Sequence, residues 1–117
     1  MNSEAMRQKL REMAAARDWD QFHTPKNLVM ALSGEVGELT ELFQWLTPGQ
    51  AEGVMQDSSK AQAIADELAD ILSYTLRLAD KLGVDLERAF WNKASKTEQK
   101  YPVEKAKGNA RKYTDFE

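Results

Sequence analysis

Gly34-Glu35-Val36-Gly37-Glu38-Leu39-Thr40-Glu41-Leu42-Phe43-Gln44-Trp45, answered further on by Asp66-Glu67-Leu68-Ala69-Asp70, is the stretch whose reading decides the fold. On a helix turning about 100° per residue, Leu28, Leu32, Val36, Leu39, Leu42, Phe43 and Leu46 share an arc of about 120° that contains Glu35. Glu35 therefore points inward, Glu38 lies about 60° to one side, and Glu41 lies further out, toward water. Around Glu67, the residues Ile64, Leu68, Ile71, Thr75, Leu78, Ala79 and Leu82 cluster in the same way, with Tyr74 beside them and Asp70 about 60° off. Two helices thus each carry an inward acid and an edge acid at i, i+3.

A carboxylate inside an apolar face must be compensated or take up a proton, because desolvation penalises its charged form. A single Glu-x-x-Glu pair is ordinarily solvated surface. Two inward pairs gather four carboxylates, Glu35, Glu38, Glu67 and Asp70, which repel one another unless a divalent cation neutralises them. An all-oxygen ligand set suits Mg²⁺, with Mn²⁺ as a substitute, rather than zinc. Magnesium keeps coordination positions for water and for substrate phosphates, so beside a basic tail it points to a di- or triphosphate substrate attacked by water.

The remaining composition narrows the class. A chain of 117 residues suits one domain, with a basic tail from about residue 103, and 42% hydrophobic with 30% charged residues fits a helical globular protein. A formal net charge of -3 offers no broad basic field, which argues against nucleic acid as the partner. There is no cysteine, so disulfides, thiolate metal sites and cysteine nucleophiles are excluded. Met1-Asn2-Ser3-Glu4 does not begin a secretory leader and no run is apolar for long enough to cross a bilayer, so a cytoplasmic protein without a membrane partner is expected.

Helical periodicity predicts a first helix over about Ser3 to Arg17, from Met6, Leu10, Met13 and Ala14. Asp18 to His23 interrupts the period before Thr24-Pro25 caps a second helix, expected to reach Leu46 and stop at Thr47-Pro48-Gly49. Gly34 and Gly37 would permit close approach of a neighbouring helix. After a polar connection over Gln50 to Asp57, Ser58 or Ser59 would cap a third helix ending at Gly83. Asp85 caps a fourth, with Leu86, Ala89, Phe90, Lys93, Ala94 and Thr97 on one face and a stop near Tyr101-Pro102.

Trp19, Phe22, Trp45 and Tyr74 offer flat surfaces for a nucleobase, and His23 a hydrogen bond to its edge, although Phe22 reads better as a core or interface aromatic. Trp45 lies close in angle to Glu38, which favours ligand contact. A lone histidine without a serine partner gives covalent catalysis little support. The alternative to an enzyme is a non-catalytic helical interaction module whose acids form polar layers or interface ion pairs. A di-iron oxidase would use Glu-x-x-His pairs, which neither motif contains.

Gly-Glu-Val-Gly-Glu-Leu-x-Glu-Leu-Phe-Gln-Trp, then Glu-Leu-x-Asp-Ile-Leu-x-Tyr, Lys-x-x-Gln-Lys-Tyr-Pro-Val and Ala-Arg-Lys-Tyr-Thr together resemble the MazG-like all-α nucleoside triphosphate pyrophosphohydrolases, in particular the dCTP pyrophosphatase branch. The likeness runs from about Arg17 to Thr114. It implies an all-α, four-helix MazG-like bundle assembled as a homodimer or a dimer of dimers. It implies Glu35, Glu38, Glu67 and Asp70 as the Mg²⁺ ligands of the catalytic centre, and hydrolysis of a dNTP at the α-phosphorus to dNMP and pyrophosphate. Trp19, His23, Trp45 and Tyr74 match base- and sugar-contacting positions, Lys93 and the Arg111-Lys112-Tyr113 tail would approach the phosphates, and Thr97 would face the nucleotide. Two positions depart from the branch: Leu10 stands where a histidine can occur and Thr97 where an asparagine can.

Overall fold

The structure is a computed structural model that describes residues 1–116; Glu117, the last residue of the expected domain, lies outside the described residues. The fold is all-helical: α1 Ser3–Ala16, α2 Pro25–Phe43, α3 Pro48–Glu52, α4 Ser58–Leu82, α5 Leu86–Lys100 and α6 Val103–Ala106. Single 3-10 turns lie at Asp20–Phe22, Val54–Gln56 and Tyr113–Asp115, and no strand occurs among the described residues. None of the described helices is long and apolar enough to cross a membrane. The chain divides into two compact units, one over Met1–Gly83 and one from Val84 onward.

In the first unit α4 is the central element, with α2 packed along it and α1 against it. Each end of this frame is set by a local signal. The Thr24 side chain caps α2 by accepting from the Asn27 amide, with Pro25 in the first turn. Asp57, not Ser58 or Ser59, caps α4: its carboxylate accepts from the amides of Ser59 and Lys60, so the helix starts at the first serine. Gly83 closes α4 in the left-handed conformation, φ +68°.

Helix α2 stops at Phe43, short of the expected Leu46. Thr47 must be extended because Pro48 follows it, and its hydroxyl and amide form a reciprocal capping box with Gln50 that starts α3. The polar connection over Gln50 to Asp57 contains the end of this short helix and a 3-10 turn, which buries Val54. Within this chain no helix closes on Gly34 or Gly37: a methyl group on either would meet nothing within 4 Å among the described residues. Both lie on the side of α2 turned away from the Glu35 arc.

The apolar face of α4 is also broader than one stripe. Leu76 is buried although it lies opposite Glu67 on the helical wheel, because α1 covers that second side and lines a groove there with Leu72 and Ala69. Conversely Val36 and Leu68, each one residue after an inward acid and at the rim of its arc, are about half exposed.

The second unit is built around α5, capped by Asp85, whose side chain accepts from the Arg88 amide. Phe90 and Trp91 pack edge to face and remain exposed. Tyr101 meets the rings of Tyr113 and Phe116 at 5.9 and 5.7 Å, and Lys100 and Arg111 lie over Tyr113 and Phe116 respectively. The basic tail is thereby folded back on the end of its own helix.

Candidate active site

The close packing of α2 and α4 brings Glu35, Glu38 and Glu67 together, one oxygen of each lying within 4.8 Å of the others. Glu35 and Glu67 are half-buried and Glu38 is exposed at the rim. Glu35 Oε2 and Glu67 Oε2 are shut off from solvent with no hydrogen-bond partner, and none of the three acids forms an ion pair among the described residues. Such an arrangement raises carboxyl pKa values. Glu35 is pushed up to about 7, chiefly because its protonated form hydrogen-bonds Glu67 and then Glu38, with burial adding to this. Glu67 is raised as well: the hydrogen bond from Glu35 favours its charged form, but burial and the charges of Glu38 and Asp70 outweigh that bond.

Asp70 stands outside this three-acid cluster, one turn along α4 from Glu67. It lines a cavity of about 220 Å³ with Trp19, His23, Ser73, Tyr74 and Arg77, closed on the other side by Leu10, Met13 and Ala14 of α1. This is below the roughly 300–1,000 Å³ of whole-ligand pockets and suits one ring. Tyr74 is raised above its ordinary pKa by burial and by the negative charges of Glu35, Asp70 and Glu38. The cavity therefore adjoins the acid cluster electrostatically. Trp19, His23 and Tyr74 come together here as sequence-based candidates. Trp45 does not: α2 ends before it, so its helical angle to Glu38 no longer applies, and its side chain stands 86% exposed. Phe22 is exposed, which leaves it outside the core. Lys93 and Thr97 lie exposed on α5, and Arg111 and Lys112 in the tail of the second unit, where Arg111 donates to the Asp115 carbonyl.

Sequence reasoning missed the charged wall of the cavity. Arg77 is buried and serves three partners: it donates from Nε to His23 Nδ1 at 3.1 Å and from Nη2 to Asp20 at 2.7 Å, and Nη1 lies 3.6 Å from Asp80. Asp80 also receives Arg11 of α1 at 2.7 Å, and Asp20 receives Lys81. Asp80 is held below the usual carboxylate range first by Arg11, and Asp20 first by Lys81 and then Arg77. The available signal was the Arg77, Asp80, Lys81 grouping on one amphipathic helix.

An interhelical carboxylate cluster with orphaned oxygens stands beside a ring-sized, aromatic-lined cavity on an all-α frame, a site that offers hard oxygen donors and flat walls. The model of the MazG-like family matches residues 30–116, and the chain belongs to that family. Among curated relatives, dCTP pyrophosphatase 1 of Rattus norvegicus is 47% identical over 105 residues and that of Homo sapiens 45%, in each case across 90% of this chain and 62% of the relative. The Bos taurus protein of the same name is 48% identical over 106 residues. The chain thus spans 62% of the length of the curated relatives it matches. Among solved structures, a pyrophosphatase from Archaeoglobus fulgidus superposes with a TM-score of 0.80 at 36% identity, covering 87% of this chain and 94% of that one.

Proposed function

We propose that this protein is a divalent-metal-dependent nucleoside triphosphate pyrophosphohydrolase that converts a dNTP, either dCTP or a modified relative of it, to dNMP and pyrophosphate as nucleotide-pool house-cleaning in the cytoplasm. The observation that carries this reading is the pair of buried, unpartnered oxygens on Glu35 and Glu67, two acids that meet between α2 and α4 with Glu38 in reach. Family membership and relatives named dCTP pyrophosphatase 1 support the substrate class.

Glu35, Glu38 and Glu67 would hold Mg²⁺, or Mn²⁺, with Asp70 completing the set; these hard oxygen donors fit such an ion. When bound, the ion supplies charge neutralisation for the phosphates and polarisation of the reacting phosphoryl group. Trp19 and Tyr74 flank the base in the ring-sized cavity, and His23 hydrogen-bonds its edge. Trp45, exposed beyond the end of α2, is free to cover the ligand. Lys93, Thr97, Arg111 and Lys112 keep the nucleotide-contacting roles that the resemblance gives them. The water oxygen bonds to the α-phosphorus as the bond to the bridging oxygen breaks; pyrophosphate departs with the electron pair, and the proton released by the attacking water passes to solvent.

The protein assembles as a homodimer or a dimer of dimers in this reading, supported by large apolar side chains such as Leu68, Phe90 and Trp91 left 54–63% exposed. The test is incubation with each common dNTP, with and without Mg²⁺ or Mn²⁺. Pyrophosphate should appear only with metal, and an absence of turnover of every nucleotide with either metal would overturn the reading.

A further inference from the structure

We infer that Arg77 is a positioning residue that locks His23 as the neutral Nε2–H tautomer, so that the cavity offers the ligand ring one fixed N–H donor. An arginine side chain has donors only, so the nitrogen that faces Arg77 Nε at 3.1 Å must be an unprotonated acceptor. That nitrogen is Nδ1, which leaves the imidazole proton on Nε2, on the far side of the ring from the guanidinium. Arg77 cannot swing away to relax this constraint. Asp20 takes Nη2, Asp80 draws Nη1 from 3.6 Å, and the side chain is buried, so the guanidinium is held with Nε turned to His23.

Protonating His23 would set Nδ1–H against Nε–H. Burial, the cations Arg77 and Lys81, and only partial relief from Asp20 all press the ring toward neutrality. Asp70 and Tyr74 line the same cavity but do not hydrogen-bond the ring, and Nε2 has no partner among the described residues. A fixed donor selects a ligand edge that presents an acceptor, such as a ring carbonyl or an unprotonated ring nitrogen, and rejects one that presents N–H.

The identity of the ligand ring rests on the nucleotide reading above, whereas the Arg77–His23 relation does not, and the experiment separates them. His23 is the only histidine, so its imidazole nitrogens are observed without assignment ambiguity in a ¹⁵N-labelled protein. The wild type should show one tautomer, protonated at Nε2, with a titration midpoint below the ordinary 6.5. Arg77→Gln should relax this to a tautomer mixture and raise the midpoint. A wild-type spectrum showing Nδ1–H or a mixture overturns the inference, even if the variant fails to fold.

In turnover assays, Arg77→Gln and His23→Phe should each raise the nucleotide KM about tenfold, the loss of one hydrogen bond. The double variant should be no worse than His23→Phe alone. Additive losses would show that Arg77 acts independently of His23 and would also overturn the inference. If the wild type hydrolyses no nucleotide, the enzyme reading alone fails and the spectrum still decides the tautomer.

Discussion

Helix α4 carries two charge assemblies a few turns apart, each with buried or half-buried members, and they are built on opposite terms. Near its C-terminal end every charged group has an opposite partner: Arg77 with Asp20 and Asp80, Asp80 with Arg11, Asp20 with Lys81. Nearer its middle, Glu67 meets Glu35 and Glu38 with no cation from the chain. A closed network of this kind holds α1, the turn at Asp20 and α4 in place. An open one stores repulsion that a proton or a metal ion must relieve. The difference separates compensated from uncompensated charge on the same helix, without appeal to relatives.

The largest expected effect breaks the open assembly. Glu67→Gln should lower kcat/KM by about 100-fold or more, since it removes a ligand oxygen from the cation that would polarise the substrate. The metal-free protein should keep or gain thermal stability, because a half-buried carboxylate is removed from a cluster of like charges. A large fall in midpoint with activity intact would reverse the roles assigned to the two assemblies. Next in size is the closed assembly. Arg77→Met removes the buried cation at the centre of the network, but Asp80 keeps Arg11 and Asp20 keeps Lys81, so the cost in urea unfolding should be about 2 kcal/mol, the loss of the charged hydrogen bond to Asp20 and of the donor to His23. A loss near zero would mean that the network does not bear on stability.

The two assemblies also differ in how far the chain announces them. The acid pairs sit at i, i+3 on strongly periodic segments, so the helical angle alone put Glu35 and Glu67 on the apolar side, where each has a sealed oxygen. The Arg77 network joins residues 54 to 69 positions apart, and no local pattern encodes which acid a buried arginine will meet. Asp70 shows the limit of the angle argument: it shares the spacing of Glu38 yet faces the cavity, because a small offset at the rim of a helix decides which neighbour is reached. Trp45 lies away from the cavity for another reason. Its assignment assumed an unbroken helix, and the capping box of Thr47 and Gln50 ended that helix early. Leu76 was hidden because a single-stripe reading cannot anticipate a helix covered on two sides.

The smallest effect sharpens the contrast through pH. Glu35 has an ordinary value of 4.5 and is pushed up to about 7 in the fold. Between those values the folded state holds a proton that the unfolded chain has released, so the slope of unfolding free energy with pH is negative. Stability from this group is fully present below 4.5 and is lost as pH rises through about 7. Glu67 acts in the same sense, whereas His23, with its pKa lowered, favours the fold above 6.5 and works against the slope. Comparing wild type with Glu35→Gln cancels the histidine. Without metal, the wild type should lose stability relative to Glu35→Gln between pH 5 and 7.5, measured by denaturant midpoint. With Mg²⁺ present the order should invert, because the ion binds deprotonated carboxylates and so stabilises the wild type more as pH rises. A pH response identical in the two proteins, with and without Mg²⁺, would mean that the acid cluster is already compensated and that the asymmetry between the two assemblies of α4 is only apparent.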